Sequence, residues 1–257
     1  VSKYVAPQVW ESIFSGRRQA KLETQRKKLV IFFSDIVGFS SLSEQIEAEA
    51  FTDLLNQYLT EMSRIALKYG GTIDKFIGDG IMIFFGDPKS KGTKRDALAC
   101  VSMAIEMRRH MLKLRKQWAE HGMTAPLQIR MGINTGYCTV GNFGTESRMD
   151  YTIIGKEVNL ASRLESEADS GEILISHETY ALIKDKIICR QRGTATSIYS
   201  SLGLIRRDSR NAACDGTIIA VCTAGKPSMA WGGRGVRRVV ARDDALLAAP
   251  RRIWVRL

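Results

Sequence analysis

The 257-residue sequence predicts an α+β fold of the ferredoxin-like βαββαβ type, an antiparallel sheet flanked by helices. Three features carry that expectation. Short apolar, β-rich runs stand at 29–33, 72–77, 81–85 and 127–133. Segments with apolar residues every three or four positions separate the first run from the second and the third from the fourth. The second and third runs are joined only by Gly78-Asp79-Gly80, which reads as a tight hairpin turn.

Taken in order, residues 1–28 read as a lead-in helix or linker ending in a basic cluster, Arg26, Lys27 and Lys28. Leu29-Val-Ile-Phe-Phe33 is apolar without alternation, as a strand covered on both faces would be. It leads into Ser34-Asp35-Ile36-Val37-Gly38-Phe39-Ser40. Helical spacing then links Ile46, Phe51, Leu54, Leu55, Tyr58, Leu59, Met62, Ile65 and Ala66, and Gly70-Gly71 terminates it. After the hairpin, 93–120 reads as a second amphipathic helix, on Ala97, Val101, Ala104, Ile105, Met111 and Leu114. Leu127, Ile129, Met131 and Ile133 alternate with polar or small residues, and 136–141 reads as a further strand. A helix is expected from Lys156 to about Glu167, a strand at 172–175 and a helix at 178–184.

Composition narrows the function. Hydrophobic residues are 44% and charged residues 25%, ordinary for a globular domain. No apolar run approaches the ~20 residues that span a bilayer, and Val1 opens a polar stretch with no signal peptide, so the chain reads as a piece of something longer. Five scattered cysteines without a CxxC pair fit a reducing compartment rather than a disulfide framework. The three histidines lack metal-ligand spacing, which leaves zinc chemistry and a Ser–His triad unsupported. The net charge of +11 is uneven. Residues 1–190 hold 26 Lys and Arg against 23 Asp and Glu, while 191–257 hold 12 against 4. The organisation expected is therefore a lead-in at 1–28, a catalytic domain at 29–190, and a basic Arg-, Ala- and Gly-rich tail at 191–257 with no assignable fold. That tail could be a natural extension or a non-native reading frame.

Several residues carry chemistry. Asp35 ends an apolar strand and Asp79 sits in a hairpin turn. In neighbouring strands, both carboxylates would emerge at one edge, where hard oxygens suit Mg²⁺ or Mn²⁺ and hence a nucleoside triphosphate. Asp79 serving only the turn and Asp35 only capping the next segment remains open. Gly38, Phe39 and Ser40 form a strand-to-helix turn whose backbone N–H groups could face phosphate, though a plain connection would look the same. Asn159 and Arg163, four apart on a helix, share a face; they could hold a ribose and a developing phosphate charge, or form a solvated surface.

Together these segments resemble the class III nucleotidyl cyclases, the adenylate and guanylate cyclase catalytic domain. Phe33-Ser-Asp-Ile-Val-Gly-Phe-Ser40 resembles that family's first metal motif and Lys75-Phe-Ile-Gly-Asp-Gly80 its second. Tyr151-Thr-Ile-Ile-Gly-Lys-Glu-Val-Asn-Leu-Ala-Ser-Arg163 resembles the segment that meets the purine and the transition state. Arg130-Met-Gly-Ile-Asn-Thr-Gly136 is similar to the strand before the dimer arm. Several motifs in one order over about residues 20–190 are far more specific than any one alone.

The resemblance implies the cyclase fold and a set of roles. Asp35 and Asp79, with the Ile36 carbonyl, would bind two Mg²⁺ or Mn²⁺ ions per site. Asn159 would orient the ribose and Arg163 would stabilise charge on the α-phosphate. Lys75 and Thr152 stand where the family reads the purine. Lys75 can only donate, which suits adenine N1, whereas guanylate cyclases have Glu there; Thr152 can accept from N6 but can also donate. ATP is thus the implied substrate, cyclic AMP and pyrophosphate the products, and signal transduction the setting. A guanylate or relaxed purine cyclase, or a nucleotide-binding regulatory module, is the alternative. Thr at 152 resembles a subgroup that includes bicarbonate-responsive enzymes. The resemblance further implies a head-to-tail homodimer, with Asp35 and Asp79 from one subunit and Lys75, Thr152, Asn159 and Arg163 from the other. It implies a cytoplasmic domain whose parent carries a sensor or is membrane-anchored. Nucleic acid is not an expected partner. The family's phosphate-binding Lys beyond 190 has no match, since no Lys occurs between Lys186 and Lys226.

Overall fold

A computed structural model describes residues 23–120, 127–145, 148–194 and 217–221, all within a unit that ends at Pro227. Strand β1 (Thr24–Val37) leads to a short helix α1 (Phe39–Ser43) and a long one, α2 (Ala48–Tyr69). Strands β2 (Thr72–Ile77) and β3 (Gly80–Phe85) form the hairpin, and α3 (Thr93–Glu120) returns across the sheet. Then come β4 (Gln128–Thr145), β5 (Arg148–Ile154), α4 (Lys156–Glu167), β6 (Ile173–Ser176), α5 (His177–Ile183), β7 (Cys189–Thr194) and β8 (Thr217–Val221).

The strands form one sheet in the order β2-β3-β1-β4-β6-β8-β7, with β5 paired to the far end of β4. The βαββαβ order places β1 centrally, between β3 and β4, both antiparallel to it. Both faces of β1 are covered, which is why its sequence is apolar without alternation. Val30 and Phe32 pack with Tyr58 and Met62 of α2 and Val101 and Met103 of α3. Leu29 and Ile31 pack with Phe84, Val140, Ile153 and Ala161 of α4 on the other face. Burying each such side chain contributes roughly 1.5–3 kcal/mol.

The structure differs from the sequence expectation in four places. Strand β1 begins at Thr24, inside the segment expected to be a lead-in, because its whole length pairs with β4, from Thr24 opposite Gly141 to Val37 opposite Gln128. The basic cluster is absorbed there: Lys27 pairs with Asp87, and the Arg26 guanidinium lies 5.2 Å from the Tyr137 ring centroid. The two strands expected over 127–141 are one continuous strand, and its partner β5, at Arg148–Ile154, is not among the expected strands. One pair, β4 with β6, is parallel, so the sheet is mixed. Finally, Thr217–Val221 lies within the stretch expected to have no assignable fold, yet it pairs with β6 and β7, and Ile219, Ala220 and Val221 are buried. The lead-in expected over 1–22 and the tail expected over 195–216 and 222–257 lie outside the described residues.

Helix α4 lies directly on β4 at Gly132. A Cβ built there would stand 2.2 Å from the Glu165 nitrogen and 2.3 Å from the Ala161 carbonyl oxygen. Both are backbone atoms, so no rotamer change relieves the clash. Gly132→Ala is expected to destabilise the fold by about 3 kcal/mol or more, the upper end for overpacking. A denaturation midpoint unchanged from the parent would contradict this packing.

Candidate active site

Asp35 and Asp79 meet at the edge where β1 ends and β3 begins. Ser34 pairs with Ile81, and a Cβ on Gly80 would lie 3.8 Å from Asp35 Oδ1. Asp79 occupies the two-residue turn between β2 and β3 and reaches back to β1, where the Ile36 N–H donates to its Oδ2 at 2.9 Å. Burial, followed by the nearby Asp35 charge, pushes the Asp79 carboxyl up to about 6, against the lowering effect of the Ile36 N–H. These are two anions held close together and partly desolvated.

Arg130 belongs to the motif that resembles the strand before the dimer arm, where the sequence alone assigns it no role. It lies opposite Asp35 in the β1–β4 register, donates from Nη2 to Asp35 Oδ2 at 2.8 Å, and places Nε 2.6 Å from Glu165 Oε1 on α4. It thereby holds Asp35 in place and ties β4 to α4. Its signal in the sequence is a charged residue between the apolar positions Ile129 and Met131; only the strand register shows what it faces.

Among the described residues, no group of three or more His, Cys, Asp or Glu side chains could hold a metal by itself. The Asp35–Asp79 pair nevertheless fits a hard divalent ion. Mg²⁺ typically takes one or two carboxylates and completes its octahedron with water and substrate phosphate oxygens.

Gly38 follows with φ +80°, in the left-handed region that strains any residue bearing a Cβ, and its carbonyl accepts from the Leu42 N–H at 3.2 Å. Phe39 is buried with its ring centroid 4.5 Å from that of Phe51. Its side chain therefore belongs to the core, and only its backbone is free to face a ligand. Ser40 is exposed.

Lys75 and Thr152 are brought together by Asp74, a residue that no sequence motif singles out. The β2–β3 register shifts between Ile73, opposite Ile83, and Lys75, opposite Met82, so Asp74 is the extra residue of a bulge. A bulge re-aims a side chain that regular alternation would send to the opposite face from Lys75. The Asp74 side chain is 1% exposed, with Oδ1 3.3 Å from Lys75 Nζ. Thr152 donates from Oγ1 to Asp74 Oδ2 at 2.6 Å, and the Ile153 N–H donates to the same oxygen at 3.3 Å. Asp74 is not foreseeable from the sequence, because nothing in the local pattern marks the bulge.

Asn159 and Arg163 stand one turn apart on α4, Asn159 exposed and Arg163 half-buried. The predicted residues therefore fall into three groups: the carboxylate edge with its glycine turn, the pair around Asp74, and the α4 face.

Known proteins resemble this chain in sequence and in fold. The family described as the adenylate and guanylate cyclase catalytic domain matches residues 22–198. The crystal structure of the adenylyl cyclase CyaB from P. aeruginosa is 63% identical, with a TM-score of 0.71, covering 80% of this chain and 98% of that one. The crystal structure of the guanylyl cyclase Cya2 is 33% identical, with a TM-score of 0.66, covering 79% and 95%. A terminal-differentiation specific adenylate cyclase of Dictyostelium discoideum is 33% identical over 219 residues, which is 80% of this chain and 10% of that protein. The chain spans between 10% and 30% of the first curated relatives it matches. No helix among the described residues is long and apolar enough to cross a membrane. By sequence over most of its length and by fold, the chain belongs to the adenylate and guanylate cyclase catalytic-domain family.

Proposed function

We propose that the chain is the catalytic part of an adenylate cyclase, converting ATP to 3′,5′-cyclic AMP and pyrophosphate in a signalling protein. The observation that carries this reading is the donor–acceptor pair of Lys75 and Thr152, joined through Asp74, in a chain 63% identical to an adenylyl cyclase. Asp35 and Asp79 hold the divalent ions, two per site, with the Ile36 carbonyl as a further ligand. Such ions lower the pKa of the ribose 3′-hydroxyl and neutralise the polyphosphate. The Ile36 N–H and Arg130 keep the two carboxylates aimed. The backbone of Gly38, Phe39 and Ser40 faces the phosphates. Asn159 orients the ribose so that the 3′-oxygen lies in line with the α-phosphorus. Arg163 stabilises the charge that builds on the α-phosphate as the 3′-O–P bond forms and the bond to the β-phosphate oxygen breaks. Two chains form the active homodimer. Phe76, Ile77 and Ile154, on the strands that carry Lys75 and Thr152, are 48, 57 and 51% exposed, as residues covered by a partner would be in one chain. The cyclase unit works inside a longer parent that bears a sensor or a membrane anchor, and bicarbonate is a signal to test. Incubating the purified chain with ATP or GTP and Mg²⁺ or Mn²⁺, then identifying the product, tests the reading. Cyclic GMP as the main product would replace it with a guanylate cyclase.

Lys75→Glu is expected to lose ATP activity and gain some GTP activity. The new carboxylate accepts from guanine N1–H and N2–H but has nothing to donate to adenine N1. One buried mismatch costs ~1–3 kcal/mol, about five- to more than a hundredfold in relative kcat/KM. An unchanged ATP/GTP ratio would show that Lys75 does not read the base.

A further inference from the structure

We infer that Asp74 is a specificity-determining positioning residue, which spends the Thr152 hydroxyl proton on its own carboxylate and so leaves Thr152 able only to accept from the base. The inference rests on the adenylate cyclase reading and names what sets its selectivity. A threonine hydroxyl has one proton and can face either purine, donating to guanine O6 or accepting from adenine N6–H. Free to rotate, it discriminates poorly. Here it is not free. Thr152 Oγ1 lies 2.6 Å from Asp74 Oδ2 as donor, and an ionised carboxylate can only accept. Every group around that carboxylate is a donor: the Thr152 hydroxyl, the Ile153 N–H at 3.3 Å and the Lys75 ammonium at 3.3 Å. Burial raises the proton affinity of Asp74, and these three donors lower it.

The remaining lone pairs of Thr152 are what a nucleobase meets. Lys75, drawn to the other carboxylate oxygen, offers only N–H. The two side chains thus present one donor and one acceptor, complementary to adenine N1 and N6–H₂. Guanine meets both with the wrong sign, N1–H against the ammonium and O6 against a lone pair. The β2 bulge makes this possible, because it lets consecutive residues Asp74 and Lys75 act on one side of the strand. Asp74 need not touch ATP itself; its side chain is 1% exposed.

The test is kcat/KM for ATP and for GTP in the parent chain, Asp74→Asn, Asp74→Ala, Thr152→Ser, Thr152→Val and the double variant Asp74→Asn/Thr152→Val. In Asp74→Asn, Lys75 attracts the amide oxygen, which turns the amide N–H towards Thr152 and releases the hydroxyl proton to the base. The ATP/GTP ratio is expected to fall about 5- to 100-fold in Asp74→Asn and Asp74→Ala, the range for one buried polar mismatch. Thr152→Ser keeps the parent ratio. Thr152→Val lowers it, and adding Asp74→Asn to Thr152→Val lowers it no further, because the hydroxyl through which Asp74 acts is gone. A merely structural Asp74 would lower both nucleotides by one factor, and that result overturns the inference while leaving the adenylate cyclase reading intact. An unchanged ratio in Thr152→Val, which keeps Asp74 in place should the Asp74 variants fail to fold, overturns it as well. A parent chain that uses GTP as well as ATP overturns both.

Discussion

Asp35→Asn and Asp79→Asn are each expected to cost about 10³-fold or more in kcat, since in the proposed site either change would remove a charged ligand from the ions that would act on the 3′-hydroxyl and the polyphosphate. Asn is the sharper substitution than Ala. In Asp79→Asn the amide oxygen still accepts from the Ile36 N–H, and in Asp35→Asn Arg130 keeps Glu165. The fold therefore survives while the charge is lost. Stability should move the opposite way from activity at Asp79. Its carboxyl titrates at about 6 in the fold, above its ordinary value of 3.8, so the folded state disfavours the ionised form. Without divalent ions, the contribution of this group to stability is present below pH 4 and is lost as pH rises towards 6. Asp79→Asn should consequently raise Tm at neutral pH in metal-free buffer and remove that part of the pH dependence. Added Mg²⁺ should raise Tm in the parent and much less in the variant. Either variant retaining a tenth of parent activity with an intact fold would remove these residues from the metal site.

The elements with strong periodicity are legible in the amino-acid sequence. Helices α2 and α3 announce themselves by apolar residues every three to four positions, and the β2–β3 hairpin by the Gly-Asp-Gly joint. What the sequence hides depends on pairing at a distance. Arg26, Lys27 and Lys28 have no intrinsic preference for a strand interior, and they extend β1 only because β4 offers hydrogen bonds along its full length. Strands β5 and β8 do carry strand-forming residues, at 151–154 and Thr217–Val221, but each is short, and its place in the sheet is set by pairing with β4 or with β6 and β7.

The site divides along the same line. Asp35 and Asp79 are visible because both sit where a strand ends, a place that sequence marks. Arg130 and Asp74 are not, since each acts across a register: Arg130 across β1–β4, Asp74 from a bulge in β2 to Thr152 on β5. The Thr152 hydroxyl is the instructive case. Its residue type leaves two hydrogen-bond roles open, and the buried carboxylate beside it selects between them. Donor and acceptor capacity is a property of the residue; which capacity remains for a ligand is a property of the fold.

Mixing two inactive variants should restore activity. In the proposed homodimer, each site takes Asp35 and Asp79 from one chain and Asn159 and Arg163 from the other. An Asp35→Asn homodimer and an Arg163→Ala homodimer then each carry two broken sites. In a mixed dimer, one site takes Asp35 from the Arg163→Ala chain and Arg163 from the Asp35→Asn chain, so it collects no substitution, while the other site collects both. If subunits exchange freely at equal concentration, half the dimers are mixed, each with one good site of two, and activity rises to about a quarter of the parent's. Exchange itself is followed separately, by mass or by fluorescence between labelled chains, so that failure to mix is not mistaken for failure to complement. If Phe76, Ile77 and Ile154 lie in the dimer interface, they should be shielded from solvent equally in the parent, in both variant homodimers and in the mixed dimer, and exposed only when the chains are diluted to monomers. Demonstrated exchange with no recovery would place all the site residues within one chain, and the Asp35–Asp79 edge would then have to meet Arg163 of its own α4.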